Sequence, residues 1–492
     1  MGLAAPYSEA LARFTGRPVV TLATGTTCAL LGDERTLREF LVADQTARLL
    51  RQEGHTVFSL LIDDSYDPLN YRQLRVAVDK DEDLLAQYEQ YCGMPIAHVP
   101  DPFGCHESLA AHFEDALLAR LNALGAQPTI VSTANLYERG LYRPHVHEVL
   151  QRLDEVRNLL AQKFPKYNPQ KLAWAVCPKC GYIDSTDIER VGKNELRLMC
   201  TRCQRSLELP LAEAQVKLNW KLDCALRWKL FNIDAEPFNK AYLEPQAGAF
   251  TVAQELSRSL FGGHEVLPLP YGLVTIEKEL SYRLLETLPG QMLRSLLTER
   301  PTADIRLTRE RVLLEASRYK AYDDTSYLDV IKQLLPVWLL TPEKLNQRQR
   351  ELLTHGMAFS RFFLGLPVRL RLPSPGPMEE EERPVVEAIH RFILGVVVLR
   401  ELYSDYGSFC EPAKRLMKTL GDLKKPALHR LRLIVGQDQG PSMIRFLHSL
   451  PVDYVNLLEY MLRMHLQSRT RPVQAVVAMP AEEVLAQPPY LG

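Results

Sequence analysis

Residues 19–64 carry the pattern that most restricts what this chain can fold into. "VVTLA" (Val19–Ala23) has the apolar, β-branched content of a buried strand, and Thr24-Gly25 follows it as a turn. From Thr36 to Glu53, Leu37, Phe40, Leu41, Ala47, Leu49 and Leu50 recur at near-helical spacing. "TVFSLLIDD" (Thr56–Asp64) then reads as a second buried strand that ends in two carboxylates. Strand, turn, helix and strand make a βαβ unit, which demands a parallel sheet and a right-handed crossover. Ligands of such sheets sit beyond the carboxyl ends of the strands, where Thr24-Gly25 and Asp63-Asp64 fall. The rhythm continues through "PTIVSTANLY" to Phe164, and "LRWKLFNIDAEPF" and "LPLPYGLVTIEKEL" are strand-bearing pieces that can return to the sheet. From about Pro301 the pattern is almost wholly helical. Arg371–Pro384 ("RLPSPGPMEEEERP") breaks it as a solvated loop or linker, and the tail from Val476 is expected to be loosely ordered. No internal repeat is visible.

A cysteine module interrupts the βα rhythm. Cys177, Cys180, Cys200 and Cys203 form C-x2-C-x19-C-x2-C. Each two-residue spacer lets a pair of thiolates grip one ion, and two such pairs complete the closed tetrahedral site of structural zinc. Gly181 after the first pair suits a turn that needs positive φ. The other five cysteines are scattered, and an odd total of nine fits a reducing compartment better than a disulfide framework. A net charge of -1 supplies no global field toward nucleic acid or membrane, so any RNA contact needs a local basic patch and DNA is not an expected partner. No long uncharged apolar run and no basic-then-apolar leader is present, so the expectation is a cytoplasmic protein without a membrane span.

"IDDSYDPL", "MPIAHVPDPFGCHESLAAHF", "NLYERGLY", the cysteine module, "KLNWKLDCALRW" and "DAEPFNK" occur in this order, followed by "LPGQMLRSLLTERPTADIRL". Together they resemble the class I, archaeal-type lysyl-tRNA synthetases from about Val19 to Arg306. The resemblance implies a Rossmann-type catalytic domain with an inserted zinc ribbon, followed by an all-α anticodon-binding-like domain. The expected segments are 1–173 and 211–300 for the two parts of the α/β domain, 174–210 for the ribbon and 301–492 for the helices. It also implies activation of lysine with ATP and transfer to tRNA.

The nucleotide-contacting segments depart from the family. Its first signature lies in a stretch close to TGITPSGPIHIGNLREVL. Laid on that, this chain keeps Thr24, Gly25, Thr27, Leu37, Arg38 and Glu39 but puts Asp33, Glu34, Arg35 and Thr36 where the family has His-Ile-Gly-Asn. A His there donates to phosphate oxygens, whereas Asp33 repels them. Arg35 fills the space in which glycine lets an adenine ring approach backbone. Asp33 and Glu34 read most simply as a charged, solvated helix start that suits the helix dipole. After "LPYG" no Lys-Met-Ser run appears, and Lys278 reads as a surface residue. In "FNKAYLEPQAGAF" Lys240 and Gly248 survive, but Ala241 and Tyr242 replace the family's Asp and His. ATP is therefore a doubtful ligand.

Other candidates remain. Asp63, Asp64 and Asp67 could hold a lysine-like ammonium, and Trp220 and Asp223 could complete an amino-acid pocket, with Arg227 as an i,i+4 partner of Asp223. His106, Glu107 and His112 have the makings of a metal set, though His106 also suits a helix start and His112 a helix face. Lys414, Arg415, Lys418, Lys424, Lys425, Arg430 and Arg432 gather into a basic helical region able to follow a phosphate backbone. The reading that unites these features is a synthetase-like protein that lacks ordinary aminoacylation and acts by binding tRNA, another structured RNA or a protein partner. Its rivals are a working lysine–tRNA ligase, or another adenylate-forming enzyme, with rebuilt ATP contacts, and a pure protein scaffold.

Overall fold

Strand β1 (Val19–Thr26) is the hub of the first unit. It pairs in parallel with β2 (Thr56–Asp63) along its whole length, from Val19 opposite Thr56 to Thr26 opposite Asp63. β3 (Thr129–Ser132), β4 (Ala235–Asn239) and β5 (Leu267–Tyr271) complete a five-stranded all-parallel sheet in the order β5-β4-β1-β2-β3. The chain builds outward on one side of β1 and then returns to build on the other. The order therefore reverses between β1 and β4, the switch point at which open α/β sheets bind ligands. Helix α1 (Leu37–Gln52) covers the sheet with Val42, Ala47 and Leu50 packed on Val20, Leu22, Val57 and Leu269. This is the expected βαβ unit.

These features come from a computed structural model, which describes residues 3–167, 169, 171–331, 345–363, 373, 375–376, 379–435, 443–450 and 452–467. The tail from Val476 lies outside them, as does part of the Arg371–Pro384 linker.

The cysteine module leaves and rejoins the α/β unit through an antiparallel stem, Ala173–Ala175 against Val216–Leu218. Beyond the stem three antiparallel strands, Thr186–Val191, Glu195–Cys200 and Arg205–Pro210, form a small sheet. Its Cys177, Ile183, Leu196, Leu198 and Cys200 share one core with Tyr66, Tyr137 and Leu222. The module is thus continuous with the core beside the sheet, not an appendage on a tether.

The chain divides into Met1–Val312 and Leu313–Gly492. The second unit is mainly helical, with Arg383–Leu402, Tyr406–Lys418, Lys424–Ile434 and Val452–Gln467 around Phe392, Val396, Phe409, Leu431 and Leu458. One hairpin departs from the helical expectation: Lys320–Tyr322 pairs with Thr325–Ser326. Asp323 and Asp324 turn it at φ of 43° and 58°, a left-handed pair more often built from Asn-Gly.

Candidate active site and metal centres

The four residues before α1, Asp33 to Thr36, are not a solvated helix start. Asp33 and Glu34 are buried, at 3% and 0% exposure, and this corrects the expectation from sequence. Their carboxylates face residues 281–285, which come after the strand Val274–Ile276 and the turn Lys278–Leu280 that follow β5. Ser281 Oγ donates to Asp33 Oδ2 at 2.7 Å, and Asp33 Oδ1 accepts from Arg35 Nε at 2.8 Å. Glu34 accepts three backbone N–H groups: Tyr282 at 2.9 Å, Leu284 at 2.9 Å and Leu285 at 3.3 Å. A carboxylate thus satisfies the orphan amides at the start of the short helix Leu284–Thr287. Burial opposes ionisation of Asp33, but the bonds from Arg35 and Ser281 outweigh it and hold its carboxyl below the usual range.

The residues around this clasp tighten it. Tyr282 sits at φ +64° and donates its hydroxyl to Leu31 O at 3.1 Å. Arg120, from helix α2 (Leu109–Ala123), donates to Gly32 O at 2.6 Å and lies over the Tyr282 ring. Arg38 is fully buried and gives its guanidinium to the carbonyls of Gly272, Leu297 and Arg300. Arg35 does not fill an interior space as expected: it is an exposed residue folded onto Asp33. Thr36 is exposed and bonds Asp33 O. Lys278 is exposed, as expected.

The sheet's switch point holds a second buried polar group. A Cβ on Gly25 would meet Arg227 Nη2 at 2.8 Å, so glycine here admits a guanidinium against the strand. Arg227 and Trp228 come from helix α3 (Trp220–Leu230). Arg227 pairs with Asp64 and Glu236, each at 3.4 Å, and Trp228 Nε1 donates to Glu236. The expected Arg227–Asp223 pair is therefore replaced by longer-range partners. Thr24 is buried in β1 and donates to Leu60 O. Burial pushes the Asp64 carboxyl up to about 7 against the pull of Arg227 and Lys217. Glu39 is likewise raised to about 7 by burial, although Tyr271 Oη donates to it at 2.7 Å.

Of the carboxylates expected to hold an ammonium, Asp67 and Asp223 are brought together, and the chain's own Lys217 lies between them. Lys217 Nζ, delivered by the stem of the cysteine module, lies 2.9 Å from Asp67 Oδ1 and 3.3 Å from Asp223 Oδ2. Tyr137 Oη donates to Asp223 Oδ2 at 2.6 Å. Burial acts against the Lys217 charge, but the carboxylates of Asp67, Asp223 and Asp64 overcome it and raise the ammonium's pKa. Asp63 turns aside and accepts Cys28 N at 2.6 Å, with burial raising its pKa. Trp220 is 38% exposed. Lys217, Glu236 and Tyr137 escape a reading of the sequence, because nothing in their local spacing places them beside Asp223 or Arg227.

Among the described residues, two clusters bring metal-ligating side chains together. The Sγ atoms of Cys177, Cys180, Cys200 and Cys203 lie within 4.8 Å of one another, with Cys177–Cys203 at 3.8 Å and Cys180–Cys200 at 3.6 Å. A tetrahedron with Zn–S bonds of about 2.3 Å has edges of about 3.8 Å, so the quartet fits zinc. Gly181 takes the positive φ expected of it, +77°. The second cluster joins Asp101, Cys105, His106 and His112. Cys105 Sγ is 3.1 Å from His106 Nδ1, 3.2 Å from His112 Nδ1 and 3.3 Å from Asp101 Oδ2. Ordinary zinc bonds to nitrogen, oxygen and sulfur give edges of about 3.3–3.6 Å, a few tenths of an ångström longer than the contacts Cys105 makes with the two histidines, so the donor types suit zinc and a small outward shift of Cys105 would seat it. Glu107, a candidate from sequence, is not part of it; Asp101 and Cys105 are the partners missed. Their signal is the D-x3-C-H-x5-H spacing inside "PDPFGCHESLAAH".

A sequence profile of class I tRNA synthetases for lysine matches residues 8–330. The chain belongs to the class I lysyl-tRNA synthetase family. The lysine–tRNA ligase of Archaeoglobus fulgidus is 30% identical over 239 residues, 48% of this chain and 46% of that protein. That of Methanocaldococcus jannaschii is 32% identical over 208 residues, 41% of this chain and 37% of that protein. The chain thus aligns with less than half the length of these curated relatives. The methionyl-tRNA synthetase of Mycobacterium tuberculosis, solved with methionyl-adenylate, superposes with a TM-score of 0.30 at 10% identity, covering 91% of each chain. No described helix is long and apolar enough to cross a membrane.

In this member of the lysyl-tRNA synthetase family, the seven basic candidates of the helical unit divide in two. Lys414, Arg415, Lys418, Lys424 and Lys425 are exposed on Tyr406–Lys418 and at the start of Lys424–Ile434. Arg430 is turned inward, to Pro375 O at 3.0 Å and Glu382 at 3.3 Å, and Arg432 is half-buried. Lys240 is exposed and pairs with Asp304 at 3.3 Å.

Proposed function

We propose that this lysyl-tRNA synthetase-family protein does not form an aminoacyl-adenylate and acts by binding tRNA or another structured RNA. One observation carries the first part. Two buried carboxylates, Asp33 and Glu34, stand where an adenylating enzyme of this class aims donors at phosphate, and they are bonded to the segment that would carry the second signature. An ATP phosphate there would meet negative charge instead of donors, and the amides that could greet it already have an anion. Lys217 supports the same reading from the amino-acid side, because Asp67 and Asp223 already hold an ammonium.

The cysteine quartet is assigned structural zinc, since four thiolates close the coordination sphere and leave no open position. Asp101, Cys105, His106 and His112 are assigned a second ion of the same kind. RNA binding rests on the family and on the exposed Lys414, Arg415, Lys418, Lys424 and Lys425, which supply local positive charge that the balanced composition does not. The work would be done in the cytoplasm. Purification from the native host, with sequencing of retained RNA and identification of retained proteins, tests this. Enrichment of tRNA or one structured RNA is the expected result, whereas a stoichiometric protein without RNA would favour the scaffold.

A further inference from the structure

The second half of the long helix α4 (Arg383–Leu402) has more apolar surface than the core of its unit uses. Residues 392–399, "FILGVVVL", carry no charge, so the helix is apolar all round there. A helix of that composition is one that becomes covered on more than one side. One side is accounted for: Ile389, Phe392, Ile393 and Val396 are buried in the helical core. On the other, Leu394, Val398 and Leu402 recur every four residues and are 46%, 49% and 67% exposed. Helix α5 (Val452–Gln467) runs antiparallel along α4, since Arg383 donates to Leu466 O, His390 pairs with Glu459 and Arg400 donates to Leu450 O. It adds two half-exposed side chains, Tyr460 and Met464. An exposed apolar stripe of this kind marks a contact surface.

The charges at the ends of the stripe point to what covers it. Arg391 and Glu401 are exposed, and among the described residues neither is in an ion pair. Each stands five positions from Val396, and Leu394 and Val398 each stand two positions from it. In two antiparallel helices related by a twofold axis at that point, each residue faces the one equally far along on the other side. The stripe is therefore complementary to itself in charge and in apolar surface. We propose that two copies of this chain pair through α4 in antiparallel fashion, with Arg391 on the partner's Glu401 and Leu394 on the partner's Val398. Leu402 then reaches the level of the partner's His390, beside which α5 exposes Tyr460. Leu394, Val398, Leu402, Tyr460 and Met464 are few beside the roughly 20–30 residues a side of a standard interface, so the dimer is weak, with a dissociation constant on the order of 10 μM. This inference stands apart from the RNA reading, and either can fail alone.

Sedimentation equilibrium of the full, zinc-loaded, RNA-free chain at low salt, from about 1 to 100 μM, tests this. The average mass is expected to rise from monomer toward dimer across that range, and Leu394→Asp to hold it at monomer. Arg391→Glu and Glu401→Arg are each expected to weaken the dimer about 10-fold, because the twofold axis turns both ion pairs into like-charge contacts at once. The two reversals combined are expected to bring affinity back to within a few-fold of the unaltered chain, a recovery that general damage to the fold would not produce. Should Leu394→Asp misfold, the two exposed charge reversals and their combination carry the test. A chain that stays monomeric at about 100 μM overturns the proposal and leaves the stripe to a different occupant. A dimer indifferent to Leu394→Asp and to both reversals lies on another face and overturns it as well. A dimer weakened by each reversal but not restored by the pair overturns the antiparallel register.

Discussion

Replacing Glu34 by alanine is the sharpest probe of the clasp. The carboxylate is fully buried and accepts the N–H groups of Tyr282, Leu284 and Leu285. Truncation leaves three amides without that acceptor, each worth about 1–3 kcal/mol if no substitute is found. The Leu285 bond at 3.3 Å is the weakest, and water can enter the space left, so a local loss of about 3 kcal/mol is a reasonable expectation. Because the chain has two compact units, one global unfolding energy is ill-defined. Hydrogen exchange of the 282–285 amides is the better assay. A loss of about 3 kcal/mol speeds exchange there by roughly 100-fold, since each 1.4 kcal/mol is about tenfold. Glu34→Gln keeps one acceptor oxygen and should fall between. Unchanged protection of 282–285 in Glu34→Ala would mean that the packing of Leu284, and not the carboxylate, holds the segment, and the clasp would lose its meaning.

Elemental analysis of freshly reduced protein should find about two zinc ions per chain, with Cys200→Ser and Cys105→Ser each removing one; zinc-free folded protein would refute both centres. Replacing Arg415, Lys418, Lys424 and Lys425 with alanine should weaken tRNA binding and flatten its salt dependence, by up to about 0.7–0.9 in slope for each phosphate no longer neutralised, and an unchanged slope would clear this face of the role. Asp64 is raised to about 7, so its contribution to stability is fully present below the usual carboxylate range and lost as pH rises through 7. Asp64→Asn should flatten the fall in thermal stability of the first unit between about pH 4 and pH 7, and an identical pH profile would refute that assignment.

The parallel sheet is legible in the sequence because each of its features is local. Apolar strands, a helical repeat and turn residues each announce themselves within a few positions, and "VVTLA" and "TVFSLLIDD" pair in the expected sense. The four-thiolate site is legible for the same reason: its spacing is its geometry. The solvated reading of Asp33 and Glu34 fails because their partners lie about 250 residues away, most of them backbone amides that no side-chain pattern reveals. Lys217 is hidden in a similar way, since the stem that buries it comes from pairing Ala173–Ala175 with Val216–Leu218. The histidine cluster is half legible. His106 and His112 stand out, but Cys105 reads as one of the scattered thiols, and Asp101 gains meaning only when the loop brings its carboxylate to Cys105.

Lysine-dependent ATP–pyrophosphate exchange tests the central claim most directly, because it reports adenylate formation without needing the right tRNA. Loss of one preorganised donor costs about 10²–10³-fold in rate, and on the proposed reading this chain lacks several, with the buried carboxylates of Asp33 and Glu34 in their place. The expected result with purified, zinc-loaded protein is exchange no greater than a no-enzyme control. Restoring the signature residues at Asp33–Thr36 alone should not rescue it, since the connection at 281–285 offers no replacement for the second signature. Robust exchange by the unmodified protein, with lysine or any other amino acid, would contradict this and identify a working ligase whose phosphate contacts have been rebuilt elsewhere in the site.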